Sequence, residues 1–316
     1  MPESMHPFTL ITILGATASG KTRLAVGLAQ EVAGEIISAD SRQVFRGMDI
    51  GSGKDLHEYG EVPYHLIDIL DAGEEFSVFA FQQHFLDALT DISSRGKMPI
   101  LCGGSGMYLD AALRGYRMVA APANSELRAE LASLNDGQLA DTLHNLRPLQ
   151  HNNTDLTDRQ RTIRAIEIAH AESHSRSTEQ SFPTIRHLVI GIRWERSELR
   201  RRITARLKQR LENGLVEEVF RLHDGGIPWQ RLDYYGLEYR FVGAFLRGEM
   251  TYNNLFQRLN SAIHDLAKRQ GNWFRRMERH GITIHWLDGD SDPLADARIL
   301  TSCFTTGASG ATPHVV

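Results

Sequence analysis

The segment Gly15-Ala-Thr-Ala-Ser-Gly-Lys-Thr22 fits G-x-x-x-x-G-K-[ST] and constrains the fold more than any other part of the chain. It follows at once on Thr9-Leu-Ile-Thr-Ile-Leu14, a β-branched run that reads as a buried strand. Behind it, Arg23 to Val32 carries apolar residues at Leu24, Val26, Leu28 and Ala29, which suits a helix. That strand–turn–helix context gives the motif physical meaning; a chance glycine-rich turn would lack it. The glycines let the backbone turn tightly enough for several N–H groups to face one phosphate chain. The following helix aims its positive end at the same spot. Gly15, Ala16, Thr17, Ala18, Ser19, Gly20, Lys21 and Thr22 are therefore the candidate phosphate-binding residues. Lys21 supplies charge, and the Thr22 hydroxyl is placed to ligate Mg²⁺. Gly51-Ser-Gly-Lys54 looks like half of a second such loop, lacks the spacing and the hydroxyl, and reads as a turn.

Further strands are expected at Glu35–Ser38, Tyr64–Leu70, Met98–Cys102, Ile185–Ile192 and Ile282–Leu287. Asp68 and Asp71 close the third of the six, either as a weak Walker-B acid or as solvated loop carboxylates. Helical spacing recurs over Ser77–Ser94, along the stripe Leu199, Ile203, Leu207 and Leu211, and from Asn254 to Glu278. Asn213-Gly214 should end or bend the second of these. The alternation predicts an α/β fold, a P-loop NTPase-like parallel sheet with helices on both faces. Between Ser125 and His174 only amphipathic helical stretches occur, at Leu127–Leu134, Gln138–Leu146 and Asp158–Ala171. We therefore expect a core of residues 1–119 and 185–300, an all-helical insertion domain over 120–184, and a disordered small, polar tail over 301–316.

Composition narrows the function classes. Hydrophobic residues make up 41% and charged residues 23%, which argues against wholesale disorder. The net charge of −4 excludes a histone-like basic protein but not a local basic patch. No stretch approaches the roughly 18 apolar residues that span a bilayer, the N-terminus lacks a signal-peptide layout, and two cysteines make no disulfide framework. A reduced, cytoplasmic, monomeric protein is the expectation. The absence of an Asn-Lys-x-Asp guanine reader argues against a GTPase.

Asp40-Ser-Arg-Gln43 follows the second strand, at the sheet end where ligands gather. Together with Gly103-Gly-Ser-Gly-Met-Tyr108 and the run from Lys268 to Arg275, it closely resembles the tRNA dimethylallyltransferase family, the tRNA isopentenyl transferases. The resemblance runs from about Ile11 to Trp286. It implies transfer of a dimethylallyl group from its diphosphate to N6 of the adenine 3′ of the anticodon in tRNA. By that resemblance the phosphate loop takes the diphosphate, Asp40 is the base, and Lys21, Ser105 and Arg206 complete the catalytic set. It also implies RNA contacts at Asp40, Ser41, Arg42, Gln43, Ser105, Arg128, Gln160, Arg161, Arg164, Lys268, Arg269, Gln270, Trp273 and Arg275. The residues themselves offer three basic clusters: Arg159, Arg161 and Arg164; Arg193 to Arg210; and Lys268 to Arg279, with Trp273 and Phe274 as stacking platforms or as core. Arg206 also admits a plain reading as a solvated helix face, since Arg202, Arg206 and Arg210 recur every four residues.

The chain departs from the family pattern in three places. Gly51-Ser-Gly-Lys-Asp55 stands where the family usually has Gly-Thr-Ala-Lys-Pro. Asp233-Tyr-Tyr-Gly-Leu-Glu238 stands for a segment ending in a basic residue, which puts a carboxylate where a basic group would face RNA. Ile263-His264 replaces Thr-Arg. Three other readings stand beside it: a prenyltransferase acting on a free adenine nucleotide, a small-molecule kinase using the same loop, and an RNA-binding module without chemistry, which the intact loop and Asp40 argue against. The kinase leaves Asp40-Ser-Arg-Gln43 unexplained.

Overall fold

A computed structural model describes residues 8–116, 118–147, 156, 158–174 and 182–306. Among these the strands are β1 (Phe8–Gly15), β2 (Gly34–Ala39), β3 (Tyr64–His65), β4 (Met98–Gly103), β5 (Ile185–Arg193) and β6 (His285–Asp288). They form one sheet in the order β3-β2-β4-β1-β5-β6, every pairing parallel. Leu10 to Leu14 of the central β1 are all fully buried, the continuous apolar signature of a strand covered on both faces.

The helices α1 (Lys21–Val32), α2 (Val78–Ser94) and α3 (Gly106–Arg114) intersperse the first four strands. Ile11 and Ile13 join Leu24, Ala25 and Leu28 of α1 in one buried cluster. Leu10 and Leu14, displaced by the two-residue period, fall on the other face. There α2 packs on the sheet through Phe81, Phe85 and Leu89, outside the α1 cluster. Each such buried aliphatic or aromatic side chain contributes about 1.5–3 kcal/mol. After β5 come α7 (Arg196–Glu212), α8 (Leu215–Asp224), α9 (Trp229–Tyr234), α10 (Leu237–Leu246) and α11 (Tyr252–Arg279), with α12 (Pro293–Thr306) closing the described chain. Gly214, at φ 100°, separates α7 from α8, the break that Asn213-Gly214 announced.

Residues Tyr116–Phe182 form a separate compact unit, against the 120–184 read from sequence. It contains α4 (Ser125–Ala132), α5 (Asp136–Leu146) and α6 (Arg159–His174), around Leu131, Leu139, Leu143, Ile163 and Ile166. Asn135 opens α5 with a reciprocal capping box to Gln138.

Three expectations need correction. The strand expected over Tyr64–Leu70 stops at His65, because Leu66 and Asp68 take φ of 62° and 54°, which an extended strand cannot hold. The last strand begins at His285, not Ile282. The segment 301–316 is not all tail: α12 continues through Thr306 with Ala297 and Thr301 buried, and 307–316 lie outside the described residues.

Candidate active site

The phosphate loop is held open from behind. Ala18 and Gly20 take left-handed conformations, φ 62° and 89°, which reverse the chain between β1 and α1. Two side chains from beyond β5 hold its carbonyls: Trp194 Nε1 donates to Ser19 O at 2.8 Å and Arg202 Nε to Ala18 O at 2.9 Å. Arg202 in turn lies 4.0 Å over the Trp194 ring. With those carbonyls engaged, loop N–H groups are left to face an anion. Thr17 and Ser19 are exceptions, since the Thr17 N–H donates to Gln270 Oε1 at 2.9 Å and the Ser19 N–H to Ala16 O at 3.2 Å.

A cavity of about 760 Å³ opens in front of the loop, and Lys21, Thr22, Asp55, Arg202, Arg206 and Arg210 all line it. Burial presses the Lys21 ammonium below its usual pKa; Arg206 and Arg210 press it further, and Asp40 opposes them. Arg206 binds Asp55 through a charge-assisted hydrogen bond. Burial would raise the Asp55 carboxyl, but Arg206 and Arg210 outweigh it and hold it below the usual range. Asp49, Asp55 and Glu58 line the cavity too, but Asp49 is paired with Lys54 and Asp55 with Arg206, and the remaining excess of positive charge suits a polyanion such as diphosphate.

A second cavity, of about 410 Å³, lies at the same carboxyl end of the sheet. It gathers Asp40, Ser41 and Arg42 after β2, Ser105 at the start of α3, and Arg269, Gln270 and Trp273 of α11. Asp40 accepts from the Arg42 N–H at 2.8 Å, which fixes the turn and aims the carboxylate. Arg42 donates to Tyr234 O at 3.0 Å. Gln43 is turned away, bonded to Ser38 at 2.8 Å and Gly53 O at 3.1 Å. Trp273 packs so closely on the helix start that a Cβ at Gly106 would fall 2.3 Å from its ring. Phe274 is core rather than a platform.

Lys268 and Arg275 line a third cavity, of about 690 Å³, with Arg193, Arg196, Arg200 and His264. In the Tyr116–Phe182 unit, Arg128 clasps Glu167 at 2.8 and 3.0 Å, and Arg164 holds the same carboxylate at 3.0 Å. Glu167 is 1% exposed, so these arginines have a structural partner as well as a solvent face. Gln160 and Arg161 are exposed on α6.

Two structural facts qualify the simple reading of the departures. Glu238 lines the Asp40 cavity, but its side chain is only 15% exposed and faces Arg210, 3.5 Å away. Lys54 is fully buried, bonded to Phe45 O and Asp49 at 2.7 Å and to Asp68, while Asp71 pairs with Arg46. Asp68 thus has a partner in the buried Lys54 of the 51–54 turn. Sequence reasoning singled out neither Arg202 as the support of the loop nor Arg210 as part of the cavity. Their four-residue recurrence with Arg206 was the available signal.

The IPP transferase family model matches residues 43–277, and an isopentenyl transferase model matches 8–61. The chain is 68% identical over 291 residues to tRNA dimethylallyltransferase 2 of Pelobacter propionicus, covering 92% of this chain and 93% of the relative. It is 67% identical over 293 residues to tRNA dimethylallyltransferase 2 of Trichlorobacter lovleyi, covering 93% and 96%. Its fold is similar to the solved full-length tRNA isopentenylpyrophosphate transferase of Bacillus halodurans, with TM-score 0.68, 33% identity and coverage of 95% and 96%. By identity of this order along nearly its whole length, the chain belongs to the tRNA dimethylallyltransferase, or IPP transferase, family.

Proposed function

We propose that the chain is a cytoplasmic, monomeric tRNA dimethylallyltransferase that moves a dimethylallyl group from dimethylallyl diphosphate to N6 of the adenine 3′ of the anticodon, releasing diphosphate. The observation that carries this reading is the pairing of two cavities, one around the phosphate loop and one around Asp40. One is lined by Lys21, Thr22 and three arginines, the other by Asp40, Ser105 and Trp273. Lys21 and Asp40 lie close enough to feel each other's charge.

The exocyclic amine of adenine is a weak nucleophile because its lone pair is delocalised into the ring. In this reading Asp40 accepts the N6 proton as the new C–N bond forms, its carboxylate already oriented by the Arg42 amide. The C–O bond to diphosphate breaks with its electron pair, and the charge passes to a group surrounded by Lys21, Arg206 and the loop N–H groups. Ser105 is a hydrogen-bonding partner for the acceptor beside Asp40. The adenine leaves its stack to reach this depth, and Arg42, Arg269, Trp273, Lys268, Arg275 and the exposed Gln160 and Arg161 are the surfaces offered to RNA.

Magnesium fits as an ion shared with the substrate. The described residues hold no cluster of three metal-ligating side chains, whereas Thr22 lines the diphosphate cavity at the first turn of α1. Mg²⁺ is commonly held by one or two protein oxygens plus substrate phosphates. Thr22 would hold it, and its chemistry there is neutralisation of phosphate charge.

No described helix is long and apolar enough to cross a membrane. The test is incubation with radiolabelled dimethylallyl diphosphate, Mg²⁺ and either unmodified tRNA or free AMP. Label in tRNA supports the proposal. Label in AMP alone, or ATP turnover with label in neither, would replace it with the nucleotide prenyltransferase or the kinase.

A further inference from the structure

Arg210 lies in the wall of the cavity shared by Lys21, Thr22 and Arg206, yet its charge is poorly used. Its side chain is 12% exposed, and its carboxylate neighbour, Glu238 Oε1, stands 3.5 Å from Nη1. Its buried Nε has no hydrogen-bond acceptor among the described residues. The chain makes room for it at some expense in loop geometry. Gly53 takes φ 67°, and a Cβ there would fall 1.8 Å from Arg210 Nη2 and 3.0 Å from Arg206 Nη2.

A guanidinium stays charged in proteins, and burying it beside Arg206 and Lys21 with Glu238, at 3.5 Å, as its one ion-pair partner among the described residues is costly. Burial and Arg206 both work against the charged form of Arg210, and Glu238 and Asp55 only partly oppose them. Such an arrangement is stable against charge when an anion with several oxygens enters the cavity. Arginine's planar fork suits phosphate oxygens better than a point charge does.

We propose that Arg210 is a second arginine for the diphosphate of the donor, binding it through N–H groups that Glu238 leaves free, and that Glu238 is the positioning residue that orients it. The proposal rests on the reading of the Lys21 cavity as the diphosphate site. It also gives the departures at Gly53, Asp55 and Glu238 a single location. A side chain at 53 would collide with Arg210, Asp55 binds Arg206, and Glu238 faces Arg210.

The experiment is calorimetry of inorganic pyrophosphate and of dimethylallyl diphosphate on the full chain, with R210Q, R210K, E238Q and the double variant R210Q/E238Q. R210Q should weaken pyrophosphate binding about tenfold or more, the loss of one or two charge-assisted hydrogen bonds. R210K should recover part of that loss, and R210Q/E238Q should stay as weak as R210Q. E238Q should raise the KM for the donor. If R210Q/E238Q binds pyrophosphate like the parent, Arg210 is only the counter-ion of a buried carboxylate and the proposal fails. Parental affinity in R210Q overturns it directly. Should R210Q melt at a lower temperature, the double variant and R210K still decide, because both keep the local charge balance. A parent protein that binds neither ligand removes the diphosphate site itself, an outcome distinct from a parent that binds and variants that bind equally.

Discussion

Gln270 accepts the Thr17 amide at 2.9 Å and donates to Gly104 O at 3.0 Å, so one carboxamide on α11 ties the phosphate loop to the loop that carries Ser105. A Cβ at Gly104 would fall 2.5 Å from its Nε2, which explains why glycine stands there. The residue lines the acceptor cavity, but its amide is spent on two backbone partners. Gln270→Leu leaves a backbone amide and a carbonyl unpaired in a half-buried site, at about 1–3 kcal/mol for the group left without a partner. Both substrates should be affected, with the KM for donor and for tRNA rising together. A rise confined to tRNA would assign Gln270 to RNA contact alone.

Asp40 and Lys21 separate chemistry from binding. Asp40→Asn keeps the shape of the turn and an acceptor for the Arg42 amide but removes the base, so transfer should fall by about 10²–10⁴-fold. Pyrophosphate affinity should change little. Lys21→Ala should do the reverse first, weakening pyrophosphate binding in calorimetry. Transfer by Asp40→Asn at the parental rate removes Asp40 from the mechanism, and parental pyrophosphate affinity in Lys21→Ala removes the loop from diphosphate binding.

On α6 the two basic residues once grouped together part company. Arg161 is exposed, and no described side chain is bonded to its guanidinium. Arg164 holds Glu167 and Ala121 O, at 3.0 and 2.7 Å. Arg161→Glu should weaken tRNA binding and flatten the dependence of affinity on salt, with unchanged thermal stability. Arg164→Glu puts a second carboxylate against the buried Glu167 and should cost about 2 kcal/mol of stability. An unaltered salt slope in Arg161→Glu would mean that this helix does not touch RNA.

That contrast shows what the sequence could and could not say. The phosphate loop and Asp40 are legible because their chemistry is local: a strand, a tight turn and a helix start lie within a few residues of each other. The six strands are legible for the same reason, except where Leu66 and Asp68 bend the third away and where the last begins only at His285. Glu238 and Arg210 are separated by 28 residues along the chain, and Arg206 and Asp55 by 151. Neither pairing has a periodic signature, so Glu238 reads as a lost RNA contact until α7 and α10 are seen together. The same holds for Glu167, whose burial turns two basic residues into its partners. The helices α8, α9 and α10 are short and joined by glycines, and they left no long stripe to read.

The last prediction concerns the fold at the far end of β2. Glu35 accepts from both Nη groups of Arg95, at 2.8 Å for the longer bond, and meets His65 Nε2 at 2.8 Å. Arg95 first, then His65, hold its carboxyl at about 2 against an ordinary 4.5 despite burial, which works the other way. A depressed folded-state pKa means stability that is fully present above about pH 4.5 and is lost as pH falls through about 2. Arg95 is 42% exposed, so solvent screens the pair and its worth falls well short of the full linkage value. Glu35→Gln should therefore lower the melting temperature at pH 7 and flatten its decline between about pH 4.5 and 2. Thermal melts across that range decide it: parallel curves for parent and variant would mean that acid unfolding runs through other carboxylates.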